Sequence, residues 1–186
     1  MKKVLLIFGL LIVITISSYS QIQRTFLGCS FGDTKQSVIQ KIRAQGYAIH
    51  TAAEGFTAEH KVSKQVKFGG YTWNFIYFKF YRNTLYDVLL CSSSYTDQAK
   101  RMAIINYKEL KNKLGKKYSN YSKDDWGEAG VSWVDSKTGV ICRHIYATDN
   151  GESSYQDAYD RRLNIYLWYY DRKTYDIVNQ HNNNEL

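Results

Sequence analysis

Cys142-Arg143-His144 sets a thiol and an imidazole two residues apart, on one face of any strand that carries them. A cysteine attacks as its thiolate and a histidine can take its proton, so the pair holds the parts of a small hydrolase site. Two neighbours along a strand rarely bring ring to sulfur, and the expected role of Cys142 and His144 is structural. The other candidates for chemistry are thinner. His50, His60, His144 and His181 show no H-E-x-x-H spacing, and no G-x-S-x-G elbow occurs. Asp124, Asp125 and Glu128 offer oxygens to a calcium ion, as do Asp149, Asn150 and Glu152, but neither group follows a calcium-loop pattern. Gly28 and Gly32 precede a helix without the lysine of a phosphate loop. Cys29, Cys91 and Cys142 lack the paired spacing of a zinc site and allow at most one disulfide between them. The expectation is a non-enzymatic protein with no metal and no cofactor.

Aromatic residues carry the stronger signal. They make up 16% of the chain, and two strand-like stretches concentrate them. In Tyr71–Arg82, alternation puts Thr72, Asn74, Ile76, Phe78 and Phe80 on one face and Trp73, Phe75, Tyr77, Lys79 and Tyr81 on the other. In Leu163–Asp171 it separates Leu163, Ile165, Leu167 and Tyr169 from Asn164, Tyr166, Trp168 and Tyr170. A half-buried strand normally has one polar face. Here the second face is aromatic as well. If the aliphatic faces cover helices, Trp73, Phe75, Tyr77, Tyr81, Tyr166, Trp168 and Tyr170 share one side of a sheet. Tyr and Trp combine rigid apolar area with a polar atom, which suits contact with a protein partner. Stacking on sugar rings is the alternative, and a covered second core is the third reading.

The elements that would position these residues read as follows. Thr34–Gln45 is a helix with Asp33 as N-cap, Gln36 completing a capping box, and Gly46 ending it. Tyr47–Lys67 holds short strands, one of them starting at Phe56. Tyr71–Arg82 and Leu85–Ser92 form a hairpin. Ser94 or Thr96 caps a second helix with Ala103, Tyr107, Leu110 and Leu114 on its inner face, stopped by Gly115. Its outer face is basic, but no aromatic interleaving marks a nucleic-acid platform, so no nucleic-acid partner is expected. Tyr118–Gly130 reads as a loop, Val131–Val134 and Val140–Tyr146 as a hairpin, and Ala147–Arg161 as an acidic loop. The fold class is α+β: an antiparallel sheet built from two helix-then-strands halves, with the helices packed on one face.

Residues 1–20 stand apart. Met1-Lys2-Lys3 is positive, Val4–Ile16 is apolar, and small residues follow at Ser18 and Ser20. This is the pattern of a secretory signal peptide cleaved before Gln21. The apolar run is ~13 residues against the ~20 that span a bilayer, so no membrane span is expected after cleavage. Loss of Lys2 and Lys3 lowers the net charge from +8 to +6. The expectation is an exported protein, periplasmic or secreted, with one domain over 21–178 and a disordered polar tail over 179–186.

Phe26-Leu27-Gly28-x-x-Phe31-Gly32-Asp33-Thr34-x-x-x-Val38, ending in Gly46-Tyr47, resembles the opening of small exported bacterial proteins with a beta-lactamase inhibitor protein-like fold. Leu110-x-x-x-Leu114-Gly115-Lys116-Lys117-Tyr118 is similar to the helix such proteins carry between sheet halves. The resemblance implies helices on one face of an antiparallel sheet and an opposite face that is free and can be concave. In the inhibitor, that free face grips a partner protein with aromatic side chains.

Overall fold

The computed structural model describes residues 21–54, 57–62, 64–147 and 162–184. The expected signal peptide, Phe56, and the Asp149, Asn150 and Glu152 cluster lie outside these residues.

The described chain opens with a hairpin, β1 (Thr25–Phe26) and β2 (Cys29–Ser30), followed by helix α1 (Lys35–Ala44). Next come β3 (Ile49–Ala53), β4 (Thr57–Val62), the small ribbon β5 (Val66–Phe68) and β6 (Tyr71–Trp73), and the long hairpin β7 (Phe75–Tyr81) and β8 (Thr84–Ser94). Helix α2 (Asp97–Lys117) leads into β9 (Ser122–Asp125), β10 (Gly130–Val134), β11 (Thr138–Ala147) and β12 (Arg162–Asp171). Helix α3 (Arg172–Asn184) follows directly. One eight-stranded sheet runs in the order β3-β4-β7-β8-β12-β11-β10-β9, antiparallel at every pairing. The class is α+β, as expected.

Local chemistry explains the boundaries. Thr34, not Asp33, caps α1: its hydroxyl accepts from the Ser37 N–H at 3.2 Å. Asp33 is drawn away, accepting from the Ser30 N–H at 2.8 Å and pairing with Lys41 at 2.7 Å. Gly46 takes φ +78°, the left-handed conformation that closes a helix. Thr96 caps α2, accepting from the Ala99 N–H at 3.2 Å. Gly115 does not stop α2, which continues to Lys117 before Tyr118 caps it. The β7–β8 turn is Arg82-Asn83 with φ of 46° and 66°, the two-residue geometry that matches strand twist.

One face of the sheet buries Val62, Ile76, Phe78, Val88, Leu90, Leu167, Tyr169, Val140, Cys142, Val131 and Trp133. Helices α1 and α2, the β1–β2 hairpin and the β5–β6 ribbon cover it. Val38 and Ile42 come from α1, and Ala103, Tyr107, Leu110 and Leu114 from α2. Phe26 sits at the centre, its ring 4.8 Å from Tyr169. Each such side chain contributes about 1.5–3 kcal/mol by leaving water.

Helix α3 corrects two expectations. Residues 179–184, expected in a disordered tail, continue the helix. It also packs on the opposite face of the sheet, so the helices are not all on one side: Tyr175 contacts the rings of Trp168 and Tyr170, and Val178 is buried.

Candidate functional site

Register lays the opposite face out as a grid. One rung across the strands reads Lys61, Tyr77, Leu89, Trp168, Ile141. The next reads Phe75, Cys91, Tyr166, Arg143, and on the other side Glu59, Lys79, Asp87, Tyr170, Gly139. The aromatic side therefore exists: Phe75, Tyr77, Tyr81, Tyr166, Trp168 and Tyr170 all project from it, each half-buried.

Trp73 does not belong to it. It is 1% exposed and packs in the core beneath the β5–β6 ribbon, its Nε1 donating to the Phe68 carbonyl at 3.1 Å. The long strand breaks at Asn74. There the side-chain oxygen accepts from the Ser93 N–H at 2.8 Å and the Ser92 hydroxyl at 3.2 Å. That clamp interrupts the alternation, so Trp73 and Phe75 do not share a face.

Helix α3 divides the remaining aromatics. On the covered side, the Tyr175 ring lies 4.4 Å from Tyr170 and 5.5 Å from Trp168. The Tyr170 ring in turn occupies the space that a Cβ on Gly139 would take. Trp168 Nε1 donates to Asp87 Oδ2 at 2.6 Å. Asp87 is 1% exposed and its second oxygen has no hydrogen-bond partner. Burial raises its carboxyl to about 7, against the opposing pull of Lys79 and the Trp168 N–H.

Away from α3, a groove of about 380 Å³ is lined by Phe75, Cys91, Tyr166, Tyr77 and Tyr95, with Lys61, Glu59, Arg162, Ser93 and Asn164 as its polar residues. Lys61 Nζ lies 3.9 Å from the Phe75 ring centre and 5.4 Å from Tyr77; the Arg143 guanidinium lies 5.6 Å from Tyr166. These are cation–π distances. Tyr81 stands apart at the hairpin tip, beneath Arg82 at 5.2 Å. Tyr95, 63% exposed, and Tyr175 were outside the aromatic pattern, because one lies past its strand and the other on an unforeseen helix.

The remaining candidates do less. Cys142 is fully buried, and burial pushes its thiol up to about 12, the reverse of what a nucleophile needs. His144 is held edge-on against Tyr107 at 4.8 Å, and burial lowers its pKa, which favours the neutral ring. All three cysteines are buried and free, without a disulfide. Asp125 is engaged by Lys123 at 2.7 Å and Lys111 at 3.1 Å, which hold its carboxyl down at about 2. Asp124 accepts from Trp126 Nε1 at 2.8 Å. Among the described residues, no group of three or more His, Cys, Asp or Glu could hold a metal ion.

A second groove, about 520 Å³, lies between α2 and β6. Of its polar groups, Ser92 bonds Asn74, Trp73 bonds Phe68, Tyr107 bonds the Glu128 carbonyl and Lys113 pairs with Glu109, while the Tyr71 hydroxyl is buried without a hydrogen-bond partner. The aromatic groove gathers Phe75, Tyr77 and Tyr166 from the aromatic face and is the candidate site. Among the described residues no helix is long and apolar enough to cross a membrane. Compared with known proteins, the chain matches no family model, no curated protein and no solved structure.

Proposed function

We propose that this chain is an exported, non-enzymatic binding protein that contacts a protein partner through the part of its aromatic sheet face that lies away from α3. The observation that carries the reading is the cluster of Phe75, Tyr77 and Tyr166, half-buried around the 380 Å³ groove while α3 covers their neighbours. Half-exposed aromatics of this kind hold large apolar area at small entropic cost, which is how protein interfaces anchor. The positive start and apolar run of residues 1–20 support export to the periplasm or outside the cell.

The finer architecture supports a beta-lactamase inhibitor protein-like fold. Helix α1 is followed by β3, β4, β7 and β8, and α2 by β9 to β12, and the two sets of four strands meet at the β8–β12 pair. We read these as two helix-then-strands halves.

The test is affinity capture on the wild-type protein and on the Phe75→Ala/Tyr166→Ala variant. A protein retained by the first and lost by the second is the expected result. Equal retention by both removes the face from the reading. Saccharide-array hits that depend on Phe75 and Tyr166 would replace the protein partner with a glycan.

A further inference from the structure

We propose that the segment seated in the aromatic groove is an acidic peptide stretch of the partner, with Asp or Glu side chains reaching Lys61 in the groove and Arg143 just beyond it on β11, next to Tyr166, and an apolar centre between them. This rests on the reading of the face as a protein-binding surface and names the chemistry of its partner.

The charges are placed for it. Lys61 is on β4 and Arg143 on β11, with β7, β8 and β12 between them. Four strand steps of ~4.8 Å separate their backbones by roughly 19 Å. The groove between them presents Phe75, Leu89, Cys91 and Tyr166; of its polar lining, the Ser93 hydroxyl donates to Asn164 Oδ1 at 2.7 Å, and Glu59 and Arg162 stand at the margin. Lys61 and Arg143 form no ion pair among the described residues; each rests on an aromatic ring instead. The Arg143 Nε is buried with no hydrogen-bond partner, a charged donor left without an acceptor. Among the described residues, the carboxylate that lines the groove, Glu59, lies 3.8 Å from Lys79, and Asp87 is 1% exposed.

The covered half of the same face shows what kind of element it takes. There α3 docks with one aromatic anchor, Tyr175, and one buried aliphatic, Val178. A partner segment beside α3 would continue that contact over Phe75 and Tyr166. An apolar-centred peptide with acidic flanks fits the spacing. A nucleic acid or sulfated glycan carries charge at every repeat and would set unpaired anions over Phe75 and Tyr166, which costs their hydration.

The experiment is selection of a phage-displayed random dodecapeptide library on the whole protein. Selected peptides are then measured on Phe75→Ala/Tyr166→Ala and on Lys61→Gln/Arg143→Gln, with circular dichroism melts as the check on folding. The expected result is acidic residues flanking an apolar centre, affinity lowered roughly tenfold by the double Gln variant, and weakening as salt rises from ~50 to ~500 mM. Arg143→Lys keeps the charge and loses the buried Nε, and is expected to fall between wild type and the Gln variant. Neutral or basic peptides that need Phe75 and Tyr166 but ignore the Gln changes would overturn the acidic partner while leaving the binding face standing. Peptides indifferent to Phe75 and Tyr166 would overturn both. Chondroitin sulfate is the control polyanion: binding equal to the best peptide, lost in the Gln variant, would also overturn the peptide.

Discussion

Asp87 holds a carboxyl where the fold resists its charge. One oxygen accepts from Trp168 and the other has no partner, under the cover of α3. Its folded pKa of about 7 stands above the unfolded 3.8, so the folded state binds the proton more tightly. By linkage, stability from this group is fully present below pH ~4 and is lost as pH rises through ~7. Asn in its place cannot ionise and still offers Trp168 an oxygen. Asp87→Asn should leave the melting temperature little changed near pH 4 and raise it at pH 8, by about 2 kcal/mol or more in unfolding free energy. A wild-type and variant pair with parallel melting profiles across that range would show that Asp87 titrates normally. Gly139 is the second residue with a sharp consequence. A Cβ there would occupy the space of the Tyr170 ring. Gly139→Ala should therefore dislodge Tyr170 from Tyr175 and cost roughly 1–3 kcal/mol in urea unfolding.

At the scale of elements, α3 covers part of the aromatic face, with Tyr175 on Trp168 and Tyr170. Tyr175→Ala/Val178→Ala should loosen it, and acrylamide should then quench Trp168 more strongly, with Trp168→Phe identifying the signal. Unchanged quenching would mean that α3 is held by contacts other than these two. This helix was not legible in the sequence. Its inward side is little more than Tyr175 and Val178 amid asparagines, and it forms because an aromatic surface lies beneath it, not from an apolar stripe of its own. Strand β9 was missed for the opposite reason: Ser122–Asp125 is exposed throughout and pairs only along an edge. The aliphatic alternation of β7 and β12 was legible, because period-two burial is written directly in Ile76, Phe78, Phe80 and in Leu163 to Tyr169. Six of the seven aromatics expected to share a face do so. Trp73 escaped because its placement depends on Asn74 reaching the Ser92–Ser93 backbone and hydroxyl, a contact between strands that spacing along one strand does not encode.

Across the whole molecule, one sheet joins everything. The β8–β12 pair at its centre links the strands that follow α1 to those that follow α2, and the helix-covered core runs without a break from Val62 on β4 to Trp133 on β10. A continuous core of this size should unfold as one unit. The free cysteines report on that independently of the tryptophans. Cys29 lies in β2 near α1, Cys91 in central β8, and Cys142 in β11 beyond the central pair, and all three are buried. Burial raises each thiol above its ordinary range, so native protein should react slowly with iodoacetamide. In a urea series with brief labelling pulses, Cys29, Cys91 and Cys142 should become reactive together, at the midpoint where tryptophan fluorescence changes. Reaction of Cys142 at clearly lower urea than Cys91 would mean that β9, β10 and β11 open before the centre does. The sheet would then be two cooperative units joined at β8–β12, and the groove, which draws Phe75 from one side and Tyr166 from the other, would straddle their boundary.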